Sequence, residues 1–203
     1  MRLLALVLLA ASSAQAPPFA ATVSRVTRAE LGASWHAGCP VAPGRLRRVR
    51  MTFRGFDGEA HTGALVVHAD AVPDVKRIFA RLYAGRFPIR RMRTIEAYGA
   101  SDDRSMAADN TSAFNCRYVA GTSSWSQHAY GRAIDINPVE NPYVSGDHVS
   151  PRKGRPYADR SQHAEGMIHR RGATVKAFKA QGWGWGGNWS SAKDYQHFSA
   201  TGT

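Results

Sequence analysis

Two runs of period two set the first limit on how this chain can fold. In Arg48–Arg54, Val49, Met51 and Phe53 fall on one side and Arg50, Thr52 and Arg54 on the other. That is the pattern of a strand with one dry face and one wet face. Asp57-Gly58 supplies turn chemistry before a second run, Gly63–His68 (GALVVH), so the pair reads as an antiparallel hairpin with a somewhat long loop. A lone hairpin is marginal in water, so its apolar face needs a cover. Val75, Ile78, Phe79 and Leu82 recur at helical spacing, with Pro73 suited to the first turn and Gly85 to the end. A second helix is expected around Ala173–Gln181, stopped by Gly182, and Ala133–Asn137 (AIDIN) reads as a short strand closed by Pro138. The polar stretch between Pro138 and Ile168, rich in Gly, Pro and His, reads as a long loop. There is no internal repeat and no regular βαβ alternation, which argues for an α+β fold. With 203 residues, 43% of them apolar, one domain with a true core is expected and intrinsic disorder is not.

The first sixteen residues, MRLLALVLLAASSAQA, carry one basic residue, a nine-residue apolar stretch from Leu3 to Ala11 and an A-x-A ending at Ala16, with a second cleavage option ending at Ala14. This predicts a signal peptide over residues 1–16 and a secreted, periplasmic or wall-associated mature chain from residue 17. Nine apolar residues are too few to cross a bilayer, which takes roughly 20. No later stretch is longer, so no membrane span is expected in the mature chain. In an oxidising compartment Cys39 and Cys116 read by default as one disulfide, with two buried thiols as the alternative. The bridge would close a 77-residue loop and contribute roughly 4 kcal/mol in the chain-entropy model.

Charge narrows the partners. Twenty-seven basic against 15 acidic residues give +12, and such a cation is drawn to polyanions: nucleic acid, anionic lipid or an anionic cell wall. Export lowers the standing of nucleic acid, and no nucleic-acid motif is present. The cluster Arg45, Arg47, Arg48, Arg50 with Arg90, Arg91 and Arg93 reads as a solvated face, or as a surface that holds an anionic wall polymer.

Chemistry concentrates in two segments. Ser126-Gln127-His128-Ala129-Tyr130-Gly131-Arg132-Ala133-Ile134-Asp135 places a carboxylate inside a strand flanked by Ile134 and Ile136; buried bare, it would be costly. The second is Asp194-Tyr195-Gln196-His197, just after Gly182–Trp189 (GWGWGGNW). His128, Asp135 and His197 together would make the two-histidine, one-carboxylate ligand set of a catalytic zinc site with one open position. Asp194, three residues before His197, would be near yet free to act on a water. On spacing alone, His128 reads equally as an ordinary core or surface histidine, and Asp135 as a turn former.

The pattern SxHxxGxAxD followed by D-x-x-H resembles the zinc D-alanyl-D-alanine carboxypeptidases, peptidase family M15. That family includes the VanY type and the L-alanyl-D-glutamate endopeptidases. Asp109–Arg117 (DNTSAFNCR), AIDINP, NPY and WGWGGNW leading to DYQHF are similar to the same family, so the resemblance runs from about Trp35 to Phe198. It implies a small, mainly antiparallel sheet flanked by helices, and Zn²⁺ held by His128, Asp135 and His197. It further implies Asp194 as general base, where many relatives carry the longer Glu, and an upstream arginine that stabilises the oxyanion, with Arg117 as the candidate. Ser126 then reads as a substrate-positioning hydroxyl or as a plain cap. The implied substrate is a peptidoglycan stem peptide, cut by a D-Ala-D-Ala carboxypeptidase or, alternatively, by an endopeptidase acting at L-Ala-D-Glu or a cross-link. A non-catalytic wall-binding protein that keeps zinc structurally, as the related Hedgehog domain is thought to, is a further reading; an acidic Asp194 argues against it. Trp183, Trp185 and Trp189 read as core packing rather than a cleft lining, and His148 and His163 as solvated members of the long loop.

Overall fold

The alternating runs pair as expected, and over a longer span. In a computed structural model whose described residues are 17–203, β1 (Ala21–Arg25), β2 (Leu46–Arg54) and β3 (Ala60–His68) form an antiparallel sheet in that order. The expected signal peptide lies outside the described residues. β1 gives no sequence signal because most of it is exposed, Val23 included, so no apolar stripe marks it. A short helix, α1 (Arg28–Leu31), follows β1 and is held by a reciprocal cap between Thr27 and Glu30.

Helix α2 (Val72–Ala84) covers the dry face of the hairpin, with Val75, Ile78, Phe79 and Leu82 buried at the expected spacing. After α3 (Asp102–Ala107), β4 (Ala133–Asp135), α4 (Ala173–Lys179), β7 (Gly184–Trp185) and β9 (His197–Ser199) build the other half. Its sheet runs β4-β9-β7, all antiparallel. One core joins the halves: Val49, Met51, Phe53, Leu65 and Val67 from the first sheet, the α2 stripe, and Ile134, Phe178, Trp185 and Phe198 from the second. The whole is α+β, with small antiparallel sheets flanked by helices. A smaller cluster of Val26, Leu31, Val41, Leu46, Val66 and Phe114 packs round Cys116, which is disulfide-bonded to Cys39.

The polar stretch after Pro138 is more ordered than a long loop. It carries β5 (Tyr143–Ser145) and β6 (His148–Ser150), and β5 pairs on its other edge with β8 (Lys193–Asp194). The Arg160 guanidinium pins the segment by donating to the carbonyls of Glu140, Tyr157 and Ile168 and to Asn141 Oδ1, at 2.7–3.1 Å. Order that rests on side-chain-to-backbone hydrogen bonds leaves no hydrophobic period to read.

Glu140 in this segment is buried beside Asp109. Burial, and the hydrogen bond and charge of Asp109, push its carboxyl up to about 8. A folded value raised above the unfolded one means stability is fully present below about pH 4.5 and is lost as pH climbs through 8. Glu140→Gln is therefore expected to raise the melting temperature by a few degrees at pH 8.5 and to leave it unchanged at pH 4; equal shifts at both values would exclude the buried acid as the cause.

Candidate metal centre

The first motif is built around a tight turn. Ser126 caps the short helical turn Gln127–Tyr130 by accepting from the His128 amide at 3.3 Å. Gly131 ends it at φ +64°, and a Cβ there would lie 2.6 Å from the His68 amide nitrogen, so both conformation and contact with β3 call for glycine. The chain then enters β4, where Asp135 stands opposite His197 of β9 in register. Side chains alternate along a strand. Asp135 and His197 thus share one face, while Ile134 and Phe198 turn the other way, where Phe198 stacks on Phe178 of α4 with ring centroids 3.8 Å apart.

Three predicted ligands meet on the first face, all buried. His128 Nε2 lies 3.2 Å from His197 Nδ1 and 3.1 Å from Asp135 Oδ2, and His197 Nδ1 lies 3.0 Å from Asp135 Oδ1. The ligand atoms are within 4.8 Å of one another. Their chemistry fits a divalent cation. His128 Nδ1 sits 2.6 Å from the Ala113 carbonyl, which only accepts, so Nδ1 donates there; without a second proton, Nε2 faces the Asp135 carboxylate as an acceptor. Two acceptors that close require a positive charge between them, either a proton or a metal ion. Although burial works against its charge, the two histidines hold the Asp135 carboxyl far below the ordinary range. Burial opposes protonation of His197 as well, yet the hydrogen bond and charge of Asp135 leave its pKa raised. The other cluster with metal-binding residue types, His36 with Cys39 and Cys116, has both sulfurs engaged in the disulfide.

These ligands open into a cleft of about 580 Å³ that is also lined by Asp194, Arg117, Ser126, Trp189, Tyr143 and His148, among others. Asp194 is carried there by β8. Gly186 lets β8 close in, since a Cβ at that position would meet the Asp194 carbonyl at 2.6 Å. Asp194 Oδ1 is buried with no hydrogen-bond partner, and burial together with the charge of Asp135 raises its pKa to about 6. Arg117 reaches the cleft but is ion-paired to Asp102 Oδ2 at 2.7 Å, with its Nε buried and unpartnered. Asp102 in turn has its pKa raised by burial, against the pull of Arg117.

Several residues fall differently from expectation. Trp183 and Trp185 are core, whereas Trp189 is a cleft wall with its ring centroid 5.4 Å from that of His197. Glycines at 186 and 187 let the chain turn Trp189 outward after Trp185 has turned in. His148 lines the cleft because β6 is paired to β5, while His163 packs on His169 instead. Asp102 gave no sequence signal, and Tyr143 figured only as part of NPY, since nothing in their neighbourhoods places them near His128.

Residues 120–200 match the family model described as D-alanyl-D-alanine carboxypeptidase. No curated protein and no solved structure matches the chain.

Proposed function

We propose, on the match of residues 120–200 to the D-alanyl-D-alanine carboxypeptidase family model, that the chain is a member of peptidase family M15 and an exported zinc-dependent hydrolase of peptidoglycan stem peptides. The convergence of His128, Asp135 and His197 within 4.8 Å, in a cleft where Asp194 Oδ1 is buried without a partner, carries this reading. In it, the two imidazoles and Asp135 hold the ion. When bound, zinc supplies a Lewis acid that acidifies water and polarises a carbonyl. Asp194 takes the proton from the attacking water and returns it to the departing nitrogen as the C–N bond breaks. Arg117 turns its guanidinium to the oxygen of the tetrahedral species, where negative charge is larger than in the ground state. Ser126 serves by capping the turn that aims His128, a positioning duty.

The family description supports release of a terminal D-alanine. One observation favours cleavage of an internal bond instead. Among the described residues Arg117 is the only arginine or lysine lining the cleft, and Asp102 and, in this reading, the oxyanion both engage it, so the described lining offers no second cation for a substrate's terminal carboxylate. Purified muropeptides incubated with and without a chelator, with products identified by mass spectrometry, test both. Chelator-sensitive loss of a terminal alanine supports the carboxypeptidase, and internal fragments support the endopeptidase. No product from the metal-loaded protein leaves the non-catalytic zinc protein.

A further inference from the structure

On the far side of the β4-β9 sheet lies a second cavity that the peptidase reading does not use. It is about 580 Å³, opens between α2, α4 and the segment Glu165–His169, and shares no lining residue with the cleft. Leu82, Phe87 and Met167 give it an apolar floor, while Arg81, Arg86 and Lys176 bring three permanent cations against one carboxylate, Glu165. None of these three cations, nor the neighbouring Arg170, Arg171 and Lys179, enters an ion pair among the described residues. Some arginines elsewhere are matched, Arg48 with Glu30, Arg77 with Asp74 and Arg90 with Asp109; what sets this cavity apart is that its unpaired cations gather round one concave apolar floor. Uncompensated like charges repel and favour an anion from outside.

The backbone fixes where one of these cations sits. Helix α2 closes with the Phe87 amide donating to the Leu82 carbonyl at 2.9 Å and the Arg86 amide to Tyr83 at 3.1 Å. This closure puts residue 86 in the left-handed region at φ +55°, a place where glycine is usual. Here the glycine sits one position early, at Gly85, and an arginine occupies the unfavourable conformation on the cavity's lining.

We propose that this cavity is an anion-binding site that seats a phosphate of a phosphodiester-linked polyol chain, the class of polymer found in anionic walls. Arginine side chains donate in pairs to phosphate oxygens, the apolar floor accepts the polyol carbons, and Arg170, Arg171 and Lys179 meet the charges of adjoining repeats. Binding here is separate from the peptidase chemistry and does not depend on it.

The test measures binding of a synthetic polyglycerol-phosphate oligomer to the full chain by calorimetry. Wild type is compared with the double variant Arg81→Ser, Arg86→Gly, and with a control, Arg25→Ser, Arg152→Ser, which removes the same charge from exposed positions outside the cavity that enter no ion pair among the described residues. The cavity variant is expected to lose at least tenfold in affinity and the control less than twofold, with wild-type binding falling steeply as salt rises. Because glycine suits position 86, Arg86→Gly alone should melt no lower than wild type, which separates lost binding from lost folding. Equal losses in both double variants would reduce the effect to net charge and overturn the site. No wild-type binding at low salt, or binding to phosphatidylglycerol vesicles without binding to the oligomer, would overturn it as well.

Discussion

Asp194→Ala should retain its metal and lose turnover by a factor of about 10² to 10⁴, the range for removing a positioned general base. The reason lies in how the side chain is held. Asp194 is not among the three residues whose ligand atoms converge, so its truncation leaves the ion's donors intact. It lies in the same cleft with Oδ1 buried and unpartnered, an acceptor waiting for a donor that the protein does not supply. Burial and the Asp135 charge raise its pKa to about 6, which makes it a stronger base than a solvated aspartate while leaving it mostly ionised at neutral pH. The base works only when deprotonated, so activity should rise as pH climbs through its apparent pKa, and a bound cation moves that point downward. Steady-state rates on muropeptides alongside elemental analysis decide the matter, and near-normal turnover in the variant would refute the assignment.

His128→Ala should abolish stoichiometric metal binding and all activity with it. Removal takes away one of three donors and leaves Asp135 facing only His197, so the site keeps a carboxylate and one imidazole. Ligands that bind only the folded state stabilise it by mass action, about 2.7 kcal/mol at a hundredfold excess over Kd. Wild type should therefore melt several degrees higher with zinc than after chelation, and the variant should melt at one temperature in both. A fully metallated His128→Ala protein after dialysis would contradict the ligand set.

Legibility followed the range of the interaction. The stripe Val75, Ile78, Phe79, Leu82 and the alternation Val49, Met51, Phe53 were readable because each repeats within one element and each is buried as a unit. The motif Ser126–Asp135 was readable for the same reason: a cap, a turn glycine and a strand residue follow one another in the chain. Trp189 escaped because its two tryptophan neighbours share its composition but not its side of the chain. Arg117 was singled out by resemblance among 22 arginines, and its ion pair with Asp102 joins two segments that share no pattern. Arg160 was invisible altogether, since its partners are mostly main-chain carbonyls, which every residue owns.

The hairpin and its covering helix were thus legible in the amino-acid order alone, because local periodicity carries them; the three candidate donors were named by resemblance to a family motif, and the cysteine pair by the default for an exported chain. Whether the donors meet was decided only by the tertiary structure. Asp135 and His197 are 62 residues apart in sequence, and they face each other because β4 and β9 pair in one register; a slip of one residue would turn His197 to the opposite face.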